Sequence, residues 1–243
     1  MAAPRLDSEE RRNAIAEAAM PLFARKGFAR TTTKEIAEAA KVSEALLFKH
    51  FPSKAALYEE ILRRGCRCDP ALERLNALEP STSALIHMVH FMLVQFVVGA
   101  FGDPAELDVR HRLIVNSFAE DGEFARLVFN MIFEQIYPKF QACLEAAMRA
   151  GHLAPTPGSI ENSFWFGHHV AAMIAYARLP GRSTVPYQGD TNEVIADAVR
   201  FVLRGFGVRD EVTAALYNPA GLSILLPPAP AAAAFATGAN GRS

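Results

Sequence analysis

The chain has 243 residues, of which 51% are hydrophobic and 9% aromatic, so it can bury a substantial core and is not a disordered polypeptide. Its formal net charge of −1 gives no overall indication of a nucleic-acid partner. The charge is unevenly placed, because residues 1–64 hold 12 Lys and Arg against 9 Asp and Glu, whereas the remainder holds 13 against 17. A mildly basic beginning and an acidic remainder suit one domain that faces phosphates and another that does not.

The first helix is predicted from Asp7 to Lys26, and Pro21 inside it is expected to bend the helix near Glu17. After it, the sequence TTTKEIAEAAKVSEALLFKHFPSKAAL at residues 31–57 predicts two short helices across a tight turn. Thr32 and Glu35 fit a capping box, and Ser43 is a good N-cap for a second helix over about residues 44–50. Helix, turn and helix is the arrangement that places a second helix in the major groove of DNA.

Residues 11–62 resemble the DNA-binding domain of the TetR family of transcriptional regulators. Three segments carry the resemblance in the right order: IAEAAMPLFARKGF, TTTKEIAEAAKVS and LLFKHFPSKAALYEEIL. The resemblance implies an all-α homodimer with an N-terminal DNA reader and a larger C-terminal domain for ligand binding and dimerisation. It also implies that the partner is double-stranded DNA with a palindromic operator.

By this resemblance, four residues are expected to contact the DNA backbone: Thr32, Thr33, His50 and Lys54. Six more lie on or beside the helix that faces the groove: Ser43, Glu44, Ala45, Leu46, Phe48 and Lys49. Glu44 can accept from a cytosine amino group, Ala45 can contact a thymine methyl, and Lys49 can reach guanine or a phosphate. The chain departs from the family at Phe48, where Tyr is frequent, and at Lys41, where Gly is frequent. We therefore expect a left-handed backbone at Lys41.

Downstream, proline and glycine stops predict further helices over about residues 54–68, 70–78, 104–117, 121–150, 159–178 and from 190 onward. Another lies in the uncharged stretch between Glu79 and Asp103, which is long enough to cross a bilayer. That stretch contains histidines and lacks flanking basic clusters, so we predict a buried central helix and no membrane span. Pro138 is expected to bend or divide its helix near Gln135. The total of nine to ten helices predicts an all-α fold.

The two C-terminal helices are almost entirely apolar and need cover on more than one side, which a second copy of the chain would supply. Glycine and alanine recur at a spacing of four and form a smooth seam for close helix packing. The predicted dimer interface consists of Gly167, Ala171, Ala175, Val194, Ala198 and Phe201.

An effector cavity is expected in the C-terminal domain. Its candidate walls are Phe91, Gln95, His111, Phe118, Met131, Gln135, Phe164 and His168. A mostly apolar site with few polar anchors fits a small hydrophobic or aromatic molecule.

Three cysteines, Cys66, Cys68 and Cys143, form no even disulfide framework, and no secretory signal precedes the first helix, so we expect a reduced, cytoplasmic protein. Cys66 and Cys68 match no zinc spacing, and we predict neither a metal nor another cofactor. The sequence shows no nucleophile elbow, phosphate loop or paired carboxylates, and an enzyme is not predicted.

We predict a helix-turn-helix domain at residues 1–53, an effector-binding and dimerisation domain at 54–209, and a flexible Ala/Pro-rich tail at 210–243. The predicted function is a DNA-binding regulator, specifically a ligand-responsive repressor. Two alternatives stay open: a dimeric small-molecule-binding protein without sequence-specific DNA binding, and a metal-responsive regulator.

Overall fold

A computed structural model of the chain describes residues 8–67, 70–99, 104–154 and 158–222. This part of the chain forms twelve α-helices and no β-strand, with one isolated bridge between Leu153 and Val208, which confirms the all-α prediction. The helices are α1 Ser8–Lys26, α2 Thr33–Ala39, α3 Glu44–His50, α4 Lys54–Arg67, α5 Pro70–Ala77, α6 Thr82–Val98, α7 Pro104–Ala119, α8 Glu123–Arg149, α9 Ile160–Tyr176, α10 Thr191–Gly205, α11 Asp210–Leu216 and α12 Pro219–Leu222.

The chain divides into two compact units. The first, called the head here, comprises Met1–Asp69 together with Val109–Ile132, and the second, the body, comprises Pro70–Asp108 with Phe133–Ser243. Helix α4 thus belongs to the head by its contacts. The domain limits predicted at residues 53 and 209 follow the division of the resembled family and stay a prediction.

An aromatic cluster forms the centre of the head. Phe23 from α1, Tyr58 from α4 and Phe124 from α8 are each almost completely buried. The Tyr58 ring centroid lies 4.6 Å from that of Phe23 and 4.1 Å from that of Phe124, both in edge-to-face arrangements. Burying such a side chain stabilises a fold by about 1.5–3 kcal/mol. The cluster gives the short helices α2 and α3 a rigid base.

The local signals that the sequence offered for α2 and α3 are confirmed. The Thr32 hydroxyl accepts from the Glu35 amide at 3.2 Å, and the Glu35 carboxylate accepts from the Thr32 amide at 3.0 Å, completing the capping box. Ser43 caps α3 by accepting from the Leu46 amide at 3.2 Å. Lys41 has a φ of 55°, the left-handed conformation expected there.

Helices α1 and α8 both continue through their internal prolines, Pro21 and Pro138. The predicted alternative that α8 divides near Gln135 is therefore wrong. A proline inside a helix costs about 3 kcal/mol, and Pro138 in α8 lies close to two buried aromatic side chains. Tyr137 precedes Pro138 and Phe140 follows it by two residues, and both are buried in the body. Burial of such side chains offsets a cost of this size.

The body is built on α6, which packs against α9 and α10. Ser81 caps the start of α6, and Gly99 ends it in the left-handed conformation with a φ of 70°. Much of α6 is buried, as expected for a helix in the middle of a helical domain. Among the helices of the described residues, none is both long enough and apolar enough to cross a membrane.

The segment that begins at residue 210 differs from the predicted flexible tail, because it starts with α11 and α12. Thr213, Tyr217 and Leu222 are buried, and the Tyr217 hydroxyl shares a 3.0 Å hydrogen bond with Nδ1 of His90 on α6. Thr213 and Tyr217 are only four residues apart, but the partner of Tyr217 on α6 is 127 residues away, so no local pattern reveals this anchor. Residues 223–243, the rest of the predicted tail, lie outside the described part.

Candidate nucleic-acid interface

Helix α3 presents one face to solvent and the opposite face to the core of the head. Leu47 is 2% exposed and anchors the inner face, while Phe48 is 45% exposed. Glu44, Ala45 and Lys49 are also exposed, so the structure brings the predicted groove residues together on one surface. The capping residue Ser43 is exposed at the same end of α3, and Leu46 is half-buried beside it. This surface has the form that a major groove accepts from a helix.

A hydrogen bond across the turn joins α2 to the exposed face of α3. The Thr33 hydroxyl donates to Oε2 of Glu44 at 2.9 Å. Thr33 was expected to contact a DNA phosphate, but in this arrangement the one proton of its hydroxyl is directed to the carboxylate.

The ammonium of Lys54 is held within the head by hydrogen bonds to backbone carbonyls. Its ammonium donates to the backbone carbonyls of Phe28 at 2.6 Å, Ala29 at 3.3 Å and Thr31 at 3.1 Å. It also lies 4.3 Å from the centre of the Phe28 ring. An ammonium has three protons, so these three carbonyls account for all of them. Partial burial lowers the pKa of Lys54, and the nearby carboxylates of Asp121, Glu123 and Glu120 oppose that shift.

The turn between α1 and α2 is fixed from a second side by Thr31, which is 1% exposed. Its hydroxyl lies 2.8 Å from the Gly27 carbonyl and 3.3 Å from the Leu22 carbonyl. Arg30 on the same turn lies 3.7 Å from the carboxylate of Glu120. The start of α2, where Thr32 and Thr33 lie, is thereby held in one place.

The end of α3 is held by Arg12 from α1. One guanidinium nitrogen donates to the His50 carbonyl at 3.0 Å, and another lies 3.2 Å from the Glu60 carboxylate. The guanidinium also stacks 4.5 Å above the Phe51 ring. Sequence analysis missed Arg12 because its partner on α3 is 38 residues away and no local pattern marks it. His50 itself is half-buried at the edge of the candidate surface.

Glu35, in the first turn of α2, has a carboxylate pKa below its usual range. A hydrogen bond from Lys26, followed by the backbone amide of Thr32, lowers the pKa of Glu35 to about 2. The lowered pKa favours the ionised carboxylate, which accepts the hydrogen bond from Lys26 at the end of α1.

The predicted effector residues fall in both units. In the body, Phe91, Phe164 and His168 are buried, and the His168 ring centroid lies 5.0 Å from that of Phe96. Oε1 of Gln95 is buried and has no hydrogen-bond partner among the described residues. Such an acceptor is costly to bury unless a donor reaches it.

The remaining predicted effector residues are less uniform in their burial. His111 in the head is 4% exposed, and burial followed by the charge of Arg110 lowers its pKa to about 4. Met131 is half-buried, Phe118 is 56% exposed, and Gln135 is exposed. Exposure of Phe118 and Gln135 argues against a place for them in a closed cavity.

Most of the predicted dimer residues are buried within one chain, and the dimer interface itself stays a prediction. A Cβ added at Gly167 would come within 2.6 Å of the Phe206 ring and 3.1 Å of the Val202 side chain, both from α10 or its end. Four other members of the set are buried within the protomer: Ala171, Ala175, Val194 and Ala198. At Gly167, the spacing of small residues marks a close contact between α9 and α10 of the same chain.

The exposed apolar side chains of α9 and α10 are different residues, apart from Phe201. Phe166 is 67% exposed, Met173 61% and Phe201 66%. Large apolar side chains at this exposure on two neighbouring helices form a surface that favours contact with another chain.

The metal alternative was based on Cys66 and Cys68. Cys68 and the side chain of Cys66 lie outside the part of the chain that the structure describes. The described residues contain no group of three or more His, Cys, Asp or Glu side chains that could hold a metal ion. Cys143 is buried as a free thiol, and burial raises its pKa.

Comparison with known proteins identifies the first part of the chain. The family model for bacterial regulatory proteins of the tetR family matches residues 15–61. The uncharacterized HTH-type transcriptional regulator YvkB of Bacillus subtilis (strain 168) is 54% identical over 48 residues, which cover 20% of this chain and 25% of YvkB. The similarity to YvkB therefore spans only a short part of either chain.

Longer similarity extends into the body. The nucleoid occlusion factor SlmA of Aliivibrio fischeri (strain MJ11) is 30% identical over 164 residues, covering 66% of this chain and 79% of SlmA. Among solved structures, NalD of Pseudomonas aeruginosa, the secondary repressor of the MexAB-OprM multidrug efflux pump, superposes with a TM-score of 0.58 at 21% identity. That match covers 84% of this chain and all of NalD, and it supports the fold.

Proposed function

The chain belongs to the TetR family of bacterial regulatory proteins and is a DNA-binding transcriptional regulator, and we propose that it is a ligand-responsive repressor that binds a palindromic operator as a homodimer. The observation that carries the proposal is the exposed face of α3, on which Glu44, Ala45, Phe48 and Lys49 surround the buried anchor Leu47. In a two-fold dimer, each copy of this face would enter one of two successive major grooves.

Exposed lysines surround the candidate surface and supply the sequence-independent part of binding. Lys34 on α2, Lys41 in the turn and Lys49 on α3 are all exposed. Phosphate neutralisation by such side chains makes affinity fall with salt concentration, while the groups on α3 determine which bases are preferred. Arg12 and Lys54 support this division of roles, because Arg12 holds the end of α3 and Lys54 holds the turn before α2, both through backbone carbonyls.

We assign dimerisation to the exposed surface formed by Phe166, Met173 and Phe201. Covering these side chains with a second copy removes apolar area from water, which stabilises association by about 25 cal/mol per Å² buried. A two-fold axis through this surface pairs each residue set with itself. The buried seam at Gly167 then serves to hold α9 on α10 within each protomer.

The effector site is proposed in the body, near Gln95 and His168. The rings of Phe96 and Trp165 lie 5.0 and 5.7 Å from the His168 ring, which makes this region strongly aromatic. The buried Oε1 of Gln95 offers one acceptor to a donor on a ligand. An aromatic or hydrophobic molecule with a hydroxyl or amino group fits this combination. Its binding would favour a head spacing that no longer matches the half-sites.

The proposed role is regulatory and not catalytic, and it places the protein in the cytoplasm with the DNA that it binds. The test is selection of random duplex DNA against the purified chain at near-physiological salt. An enriched inverted repeat supports a dimeric regulator. A folded dimer that enriches no sequence would favour the alternative of a small-molecule-binding protein without sequence-specific DNA binding.

A pair of charge-reversal variants makes the selection specific to α3. Lys49→Glu changes the exposed face of α3, whereas Arg182→Glu makes the same change of charge at an exposed position in the body. We expect Lys49→Glu to abolish enrichment and Arg182→Glu to retain it. Equal loss in both variants would show that overall charge, and not the α3 surface, governs binding.

A further inference from the structure

We propose that Glu44 reads a cytosine in each half-site and that Thr33 is a positioning residue that holds the Glu44 carboxylate for this contact. The inference rests on the proposed function and names the base that one position of the interface prefers. It also gives Thr33 a role different from the phosphate contact that its place at the start of α2 suggested.

The geometry places a fixed acceptor on the exposed face of α3. Glu44 is the first residue of α3, its side chain is exposed, and Oε2 accepts from the Thr33 hydroxyl at 2.9 Å. Thr33 begins α2, whose start is held by the capping box of Thr32 and Glu35. The position of the carboxylate therefore depends on a neighbour that is itself held by a capping box.

The chemistry of an ionised carboxylate restricts what it can meet in DNA. It accepts hydrogen bonds and donates none, so phosphate oxygens repel it. In the major groove, guanine presents two acceptors and thymine one, while adenine presents a donor beside the N7 acceptor. Cytosine presents only an amino donor, which makes it the base that an acceptor-only side chain matches best.

The hydrogen bond from Thr33 improves discrimination by restricting the carboxylate. A free glutamate has several rotamers and can turn away from a mismatched base at little cost. A carboxylate held by Thr33 must stay in the groove, where a guanine or thymine in place of cytosine leaves two acceptors facing each other. Removing the hydroxyl should therefore relax base preference at one position without changing the rest of the operator.

The experiment repeats the selection of random duplexes with the full-length wild type and with Glu44→Gln, Thr33→Val and Thr33→Ser. We expect the wild type to enrich cytosine at one position of each half-site, by roughly tenfold or more over other bases. Glu44→Gln should replace that preference by adenine, because an amide can both donate and accept. Thr33→Val should weaken the cytosine preference several-fold, and Thr33→Ser should keep it because the hydroxyl is retained.

The outcomes separate failure of the inference from failure of the proposed function. An inverted repeat that is identical for wild type and Glu44→Gln would overturn the reading of cytosine while leaving the regulator intact. An unchanged cytosine preference in Thr33→Val would overturn the positioning role of Thr33. Absence of any enriched repeat with the wild type would overturn the proposed function and remove this inference with it. Glu44 is exposed, so Glu44→Gln keeps the test decisive even if Thr33→Val fails to fold.

Discussion

Replacing Lys54 by methionine separates two roles that a lysine at this position can have. Methionine keeps an apolar stem beside the Phe28 ring but removes the ammonium that donates to the carbonyls of Phe28, Ala29 and Thr31. A hydrogen bond from a charged donor contributes about 1.5–3 kcal/mol when buried. Lys54 is half-buried and water can replace part of this loss, so we expect the free energy of unfolding to fall by about 2 kcal/mol in total.

The assay combines thermal unfolding, followed by circular dichroism, with the salt dependence of DNA binding. For a chain of this size, a loss of about 2 kcal/mol corresponds to a melting temperature lower by roughly 4–8 °C. The slope of log affinity against log salt should stay unchanged, because no phosphate contact is removed. Lys49→Met is the matched control, and it should show the opposite pattern of unchanged stability and a shallower slope.

A Lys54→Met protein that unfolds like the wild type and has a salt slope shallower by about 0.9 per protomer would contradict a structural role for Lys54. That result would show that the ammonium leaves the carbonyls and binds a phosphate in the complex.

Four further predictions concern parts of the chain outside the α3 surface. Lys41→Gly should raise the free energy of unfolding by about 0.5–1 kcal/mol in urea titrations, because it relieves a left-handed residue. Tyr217→Phe should lower the free energy of unfolding by about 1 kcal/mol, because the hydrogen bond to His90 is lost. Burial and the charge of His87 lower the pKa of His90 to about 4. Stability should therefore be full above pH 6.5 and fall as the pH drops toward 4, less steeply in His90→Gln. Phe201→Asp should convert the dimer to monomers in sedimentation equilibrium, because it places a charge in the proposed interface.

Each of these predictions has a result that would contradict it. If the Lys41→Gly protein is less stable than the wild type, the extra conformational entropy that glycine gives the unfolded chain exceeds the backbone strain that it relieves. A Tyr217→Phe protein of unchanged stability would show that α11 does not depend on His90. Identical pH profiles for wild type and His90→Gln would assign the acid sensitivity to another group, such as His111. A Phe201→Asp dimer as tight as the wild type would move the interface elsewhere.

The short helices of the head could be predicted because their signals are local. Thr32 and Glu35 are three residues apart, Ser43 directly precedes α3, and both caps depend only on backbone atoms within one turn. Such features survive in any tertiary context that allows the helices to form. The left-handed backbone at Lys41 was expected from the family resemblance, because glycine is frequent at this position in the family.

Contacts between distant segments could not be predicted in the same way. Arg12 binds the carbonyl of His50, 38 residues away in the chain, and Lys54 binds the carbonyl of Phe28, 26 residues away. Any exposed carbonyl could serve as such a partner, so the sequence does not mark these two. Gly167 shows the corresponding limit for packing. A small-residue spacing indicates that something approaches closely, but it does not say whether the neighbour is α10 of the same chain or a second protomer.

The central claim, that two copies of the exposed α3 face read the major groove, is tested most directly by chemical protection of an enriched duplex. Dimethyl sulfate methylates guanine N7 in the major groove and adenine N3 in the minor groove. We predict two clusters of protected guanines, related by the dyad of the duplex and about 10 base pairs or a multiple of that apart. Protection confined to adenine N3, or a single cluster without a symmetric partner, would contradict the claim.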